Sequence, residues 1–382
     1  MPNKMTTPGD KARVTLAIGG LQHNEWVSYS IDSDLQTPAD AWHLQVAIAA
    51  GKIPEVIQRG AQVTVRVGGD LVLTGRLDGF KDRVSKRSHQ LTLSGRDSAA
   101  VLVDCSASIF AAQMLTLEEI VARIVKPLGI TNIRIDASNQ RVREKINVEP
   151  CDTAWQTLQN AAEANGLWPW MEPDGTLVVG GPDYNKPPVA TLMLRFDGQG
   201  NNVEELERND ELSRSFSEVT VLSQTHTSAT HTSRTNVRAT YKDPAITWYR
   251  PLIVVDHEVE NTKQANDRAY KLMQDSRLKG FTLTATVQGH RIIAPGEPGD
   301  GQLWQPGQRI RVVSEPHDID DVFFLMGRSF TGGRHQPTLT RLTLKEDAMW
   351  IIEAHPHKRR HRLGRNGIGP GIAQSLDLTQ PH

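Results

Sequence analysis

The side chains that could do chemistry are few and scattered. His226 and His231 sit in a repeated His-Thr-Ser unit, and His355, His357 and His361 gather near the C-terminus. Loop histidines hold a metal when a cysteine or carboxylate completes the set. Two such histidines with neither nearby make a weak site, so solvated polar residues are expected. Asp318, Asp320 and Asp321 offer the oxygen ligands a hard cation takes. They fall between two strand patterns, where a charged hairpin tip is the expectation and a bound cation stays open. Gly364, Gly367, Gly369 and Gly371 follow no strand and open no helix, so they are not read as a dinucleotide loop. The chain has no G-x-S-x-G elbow, H-E-x-x-H zinc helix or G-x-x-x-x-G-K-[ST] phosphate loop. A carboxylate pair for glycoside hydrolysis needs a spatial separation of roughly 5–9.5 Å, which spacing along a chain does not report. Trp168 and Trp170 share one strand face and could stack on sugars or pack inward. Trp42, Trp155 and Trp304 fall in apolar patterns and are expected in the core. No catalytic, cofactor-binding or metal-binding residue is therefore assigned.

The remaining features describe a scaffold. The chain has 382 residues, 43 Lys+Arg against 44 Asp+Glu, and two cysteines. That length predicts two to four domains with a substantial core. Cys105 and Cys151 alone do not staple such a fold, which points to a reducing compartment. No apolar run approaches the ~18 residues of a spanning helix, and the opening residues lack a secretory core, so neither stable membrane insertion nor secretion is expected. A net charge of −1 argues against sequence-specific nucleic-acid binding. Residues 355–382 carry +4, from Lys358, Arg359, Arg360, Arg362 and Arg365 against Asp377, leaving −5 on the body. A solvated tail is expected there, with an acidic partner as the alternative. Lys358→Glu should accordingly leave the melting temperature unchanged.

Strand signals dominate. Val63, Val65 and Val67 alternate with polar residues, Gly68-Gly69-Asp70 turns, and Leu71, Leu73 and Leu77 resume the alternation, which predicts a hairpin. Three helices are predicted. Thr116 and Glu119 form a capping box before Ile120, Val121, Ile124, Val125 and Leu128. Asp152 is the expected cap of a second helix, and Thr262 of a third that closes at Gly280. Trp168–Trp170 and Leu177–Val179 flank Asp174-Gly175 as a second hairpin. The polar stretch Ser223–Thr235 is predicted to join two strands.

The two ends of the body resemble each other. Trp42–Ile48, Gly60–Val65, Leu71–Arg76, Leu91–Leu93 and Asp97 recur in order as Phe281–Val287, Gly307–Val312, Phe323–Arg328, Leu342–Leu344 and Asp347. This predicts two similar small β-barrels in one chain. Three such chains would present six barrels around an axis.

The segment LTLSGRDSAAVLVDCS (Leu91–Ser106), helix Thr262–Gly280 with the following FTLTATVQGH, and LWQPGQRIRVV (Leu303–Val313) resemble contractile-phage baseplate hub proteins, the late-control D family of phage Mu and its prophage relatives. The likeness runs over about residues 10 to 350 and extends in fold to type VI secretion spike proteins. It implies a mainly β fold with an α+β insert that forms a pseudo-sixfold ring as a homotrimer. The domains expected are a first tube-type barrel over 1–105, completed by about 185–215, an α/β insertion over 106–184, a second barrel over 216–350 with helix 262–279, and a basic Gly-rich tail over 351–382. The function implied is structural, not enzymatic: a hub adapting a sixfold tail tube to a threefold spike, needed for tail assembly and genome delivery. The implied partners are the tube protein, a spike made by a separate chain, other baseplate proteins and the tape-measure protein. The implied location is the virion baseplate, with assembly in host cytoplasm. A carbohydrate-binding tail module using the Trp168–Trp170 hairpin is the alternative, and a peptidoglycan hydrolase a more distant one.

Overall fold

A computed structural model describes residues 12–47, 53–108, 111–112, 115–136, 146–147, 152–163, 167–225, 235–256, 259 and 262–350. His226, His231, Cys151, the Gly-rich run and the basic tail lie outside the described residues. In chain order the strands are β1 (Val14–Ile18), β2 (Leu21–His23), β3 (Ser28–Asp34), β4 (Ala41–Ala47), β5 (Gln62–Val67), β6 (Asp70–Val84) and β7 (His89–Asp97). Then come α1 (Ala100–Asp104), β8 (Ala111–Ala112), α2 (Leu117–Val125), β9 (Ile133–Ile135), β10 (Ile146–Asn147), α3 (Ala154–Glu163), β11 (Trp168–Met171) and β12 (Leu177–Gly180). The chain continues with β13 (Ala190–Leu194), β14 (Glu205–Asp210), β15 (Glu218–Thr225), β16 (Thr235–Lys242), β17 (Pro251–Val255) and α4 (Thr262–Gly280). It closes with β18 (Phe281–Gln288), β19 (Arg309–Ser314), β20 (Ile319–Gly333) and β21 (Gln336–Glu346).

The fold is mainly β and divides into two compact units, 1–208 with 283–345, and 209–282 with 346–382. In the first unit one sheet runs β14-β18-β21-β20-β3-β4-β7-β6-β5-β1-β2, with β19 on β20 and β13 on β19. Two strand sets of one order lie within it, β4-β7-β6-β5 and β18-β21-β20-β19. Their ladders match as the repeat requires. Leu44 faces Leu93 and Val46 faces Leu91, just as Leu283 faces Leu344 and Ala285 faces Leu342. Alternation buries one side of each strand, for example Val63, Val65 and Val67 on β5. An aspartate at Val65, which is 0% exposed, should cost more than about 2 kcal/mol in urea melts for burying an unpaired polar group.

Three details depart from expectation. The Gly-Arg blocks are not equivalent. Gln62 faces Arg76, and its counterpart Arg309 faces Phe324, so Arg76 corresponds to Phe324 and not to Arg328, four residues on. Residues 190–194 and 205–210, expected to complete the first set, join the second: β13 pairs in parallel with β19, and β14 lies beside β18. Residues 216–280, expected within the second barrel, build a separate sheet β16-β15-β17 against α4, with Val219, Val221, Ala239, Ala265, Ala269 and Met273 as its core.

The insertion is held by its own core. Thr116 and Glu119 make the reciprocal capping box of α2, whose Ile120, Val121, Ile124 and Val125 are fully buried against Trp155 and Leu158 of α3. The cap of α3 is Thr153, one residue beyond the expected Asp152. Its hydroxyl accepts from Gln156 N–H at 3.1 Å, because the helix starts at Ala154 and only Thr153 stands at the capping position. Strands β11 and β12 form the expected hairpin, and β12 adds β9 in parallel.

Candidate functional site: the seam between the strand sets

One ladder joins the two sets. The C-terminal half of β20 runs antiparallel to β3, with Gly327 opposite Asp34, Phe330 opposite Ile31 and Gly332 opposite Tyr29. Gly327 is required there, since a Cβ would stand 2.5 Å from Asp34 Oδ2. Side chains add two ties. The Tyr29 hydroxyl and His290 Nε2 are 2.9 Å apart, and Arg291 donates to Asp70 at 2.6 Å and to the Val67 carbonyl at 3.1 Å.

A charged cluster is buried at this seam. Arg328 donates to the Ile31 carbonyl at 3.0 Å and lies 3.9 Å above the Phe330 ring, while its Nε has no partner. Burial lowers its pKa to about 10, against the pull of Asp40 and Asp32, so it stays charged at neutral pH. Burial raises Asp40 to about 6, opposed by the Ser33 hydroxyl, Arg328 and the Asp34 N–H. Asp97 is pushed well up by burial and by Asp40, and Asp34 is raised by burial. A cavity of about 210 Å³ opens beside them, lined by Asp32, Asp34, Asp40, Arg328, Arg341 and Thr343. His290, stacked on Phe330 at 4.4 Å, is driven down to about 3 by burial and by Arg328, and is neutral. The cluster thus sets a buried cation and a neutral imidazole beside carboxyls raised by burial, and nothing in it is poised as a nucleophile with a base.

These shifts have a sign. A carboxyl raised from 3.8 to about 6 is favoured neutral in the fold, so its stabilisation is full below pH 4 and is lost as pH rises through 6. Asp40→Asn keeps an acceptor for the Asp34 N–H, which bonds Asp40 Oδ1 at 3.1 Å. Relative to the parent, it should gain up to about 3 kcal/mol between pH 4 and pH 7 in denaturant melts. His290 acts oppositely: its contribution is present above pH 6.5 and is lost as pH falls toward 3.

The Gly95-Arg96-Asp97 segment has a structural explanation. Gly95 makes room for the buried Trp42 ring. Arg96 binds Asp78 at 2.6 Å and grips Asp104 with two bonds of 3.0 and 2.6 Å. Asp97 accepts from Ala99 N–H at 2.9 Å where α1 begins. In the Trp304-Gln305-Pro306-Gly307-Gln308 segment, Gly307 takes a φ of +90° and the Gln308 side chain closes the turn onto Gln305 and Leu303.

The remaining candidates resolve singly. Asp320 pairs with Arg311 across the β19–β20 hairpin at 2.9 Å, Asp321 accepts from its neighbour Val322 N–H, and Asp318 occupies the turn with a φ of +52°. No group of three His, Cys, Asp or Glu side chains among the described residues is arranged to hold a metal. Trp42, Trp155 and Trp304 are buried. Trp168 and Trp170 are half-buried; the Trp168 indole donates to the Leu35 carbonyl at 2.5 Å, and that of Trp170 lies against Gly180. No helix of the described residues is long and apolar enough to cross a membrane. The seam residues carry no local sequence signal, because their burial is created by a strand pairing across 297 residues.

Four family models tile the chain. Residues 13–97 match the N-terminal domain of Mu phage baseplate assembly protein GpP-like proteins, and 99–181 the second domain of baseplate hub protein gp44-like proteins. Residues 215–273 match the third domain of tail proteins of the NMB1110 type, and 275–349 their C-terminal domain. The chain is 24% identical to baseplate hub protein gp44 of Escherichia phage Mu over 93% of both chains. The solved tail protein from Neisseria meningitidis MC58 is 39% identical, with a TM-score of 0.78 over 90% of this chain and 99% of that one. The 43 kDa tail protein of prophage MuSo2 from Shewanella oneidensis is 25% identical, with a TM-score of 0.77 over 88% and 99%. A type VI secretion component of E. coli, c3393, shares the fold at 13% identity and a TM-score of 0.56, over 88% of this chain and 78% of that one.

Proposed function

The chain belongs to the Mu-like family of phage tail baseplate hub proteins, structural proteins of the virion and not enzymes, and from that premise we propose that three copies close into a ring that adapts a sixfold tube to a threefold spike. The observation that supports this reading is the repeated ladder: two strand sets of one order in a single chain. A cyclic trimer of such a chain carries six similar β units, which a sixfold tube end can engage in equivalent ways while the three chains meet a threefold spike. The residues do mechanical work. Strand pairing along the seam joins the two strand sets in one register, so load passes between them without slippage. The tube, the spike, neighbouring baseplate proteins and the tape-measure protein are the proposed partners, with assembly in host cytoplasm before genome delivery through the ring. The proposed domain boundaries place the first set in 12–108 and the insertion in 111–180. The second set then takes 190–208 with 283–345, and the separate β16-β15-β17 and α4 layer takes residues 216–280.

Light scattering on a sizing column tests it. A mass of three chains that persists on dilution is expected; a monomer at all concentrations would remove the ring.

A further inference from the structure

Three short contacts at the seam settle where the imidazole proton of His290 sits. The Thr340 hydroxyl lies 2.6 Å from the Gly289 carbonyl oxygen. A carbonyl has no proton to give, so the hydroxyl proton stands between the two oxygens and Thr340 donates. The Thr340 oxygen is also 3.1 Å from His290 Nδ1, and with its proton spent it meets that nitrogen as an acceptor. Nδ1 must therefore carry the proton. Burial and the charges of Arg328 and Arg291 keep the ring neutral against the pull of the Gly289 carbonyl. A neutral imidazole has one N–H, so Nε2 is bare and the 2.9 Å bond runs from the Tyr29 hydroxyl to His290.

The chain of donors thus has one direction, from Tyr29 through His290 and Thr340 to the Gly289 carbonyl. It starts on β3 and ends in the second strand set, since Thr340 lies on β21 and Gly289 and His290 directly follow β18. The phenol is slotted where it stands: Gly332 lies opposite Tyr29, and a Cβ there would collide with the Tyr29 hydroxyl. The imidazole is held by its stacking on Phe330, the ring that also carries Arg328.

We propose that His290, held with its proton on Nδ1, is a register lock that admits β3 against β20 only when Tyr29 is there to donate. The lock belongs to the single chain and stands whether or not a ring forms. A slip of β3 by one residue would turn its buried face outward. A slip by two keeps that face inward and brings Val27 or Ile31 opposite Gly332. The ladder bonds are of the same kind in both alignments, so the choice falls to side chains. Neither Val27 nor Ile31 has a side-chain donor, and Nε2 would stay bare in a residue that is 1% exposed. An unmet buried acceptor costs more than a satisfied bond returns, which is what makes the bare nitrogen selective.

Nuclear magnetic resonance of the full chain, isotope-labelled at the histidine ring nitrogens, tests the proton position. The His290 ring should show Nδ1 protonated and Nε2 bare, unchanged between about pH 5 and 8, and loss of this signal in His290→Gln assigns it. A proton on Nε2, or a ring that titrates in that range, overturns the lock. Amide hydrogen exchange tests the role of Tyr29. Tyr29→Phe keeps the ring and removes the donor, so exchange of the β3–β20 amides should quicken about tenfold while α2 keeps the parent rate. Adding His290→Leu removes the bare nitrogen too and should recover part of that loss, which lost packing alone would not do. Parent rates in Tyr29→Phe, or a double variant that exchanges faster than the single, would show that the phenol only packs and would overturn the proposal.

Discussion

Arg328→Ala is expected to destabilise the first unit by about 3–5 kcal/mol, the cost of leaving a buried charge cluster without its cation. Arg328 is the cation that moderates Asp40 in a site where burial already holds that carboxyl near 6. It also donates to the Ile31 carbonyl across β3–β20, so truncation removes a bond of the seam and opens space over Phe330. Without it the carboxyl rises further. The loss should therefore be largest above pH 6, where Asp40 must ionise, and smaller at pH 4.5, where it is neutral in both proteins. Arg328→Met should cost less than Arg328→Ala, because it refills the volume and removes a guanidinium whose Nε has no partner. Urea melts of the three proteins at two pH values read this out. A pH-independent loss under 1 kcal/mol for Arg328→Ala would show that the cluster is solvated.

Gly95→Val is expected to cost about 3 kcal/mol or more and to reduce soluble yield. A Cβ at Gly95 would stand 2.1 Å from the Arg76 carbonyl oxygen and 2.6 Å from the Trp42 ring, and Trp42 is 0% exposed. The ring has nowhere to go in a core packed to crystal density, and the carbonyl belongs to the neighbouring strand β6, so the ladder itself must open. Valine's better fit to a strand recovers at most about 1 kcal/mol. Gly79→Ala is the matched control: nothing lies within 4 Å of its Cβ, and its stability should stay within about 0.5 kcal/mol of the parent. Equal losses at the two glycines would contradict the packing described.

Features set by neighbours in sequence were legible in it. The β5–β6 hairpin follows from alternation around Gly68-Gly69, the α2 capping box from Thr116 and Glu119, and the β11–β12 hairpin from Asp174-Gly175. The order of the repeat was legible for the same reason. What escaped depends on distant strands. Short strands such as Ala190–Leu194 carry no mark of their partner, and β13 chooses β19, more than a hundred residues away. The Gly-Arg match misled because two residues are too short to fix register, while the matching bonds of Leu77 N–H to the Ala61 carbonyl and Leu325 N–H to the Gln308 carbonyl do fix it. Arg76 and Arg328 look alike in sequence, yet the first is exposed, reaching the Gly60 carbonyl, and the second is enclosed because β3 lies across it. The candidate site was illegible for that reason: its chemistry comes from burial, and burial comes from the junction.

The central claim is that one chain carries two equivalent β units and that three chains close into one ring. Electron cryomicroscopy of the purified assembly, processed without imposed symmetry, tests it most directly. Six similar β lobes around one axis, two from each of three chains and joined within a chain by the β3–β20 junction, are the expected result. A ring of three lobes, or one in which the second strand set faces away from the axis shared by the first, would contradict it.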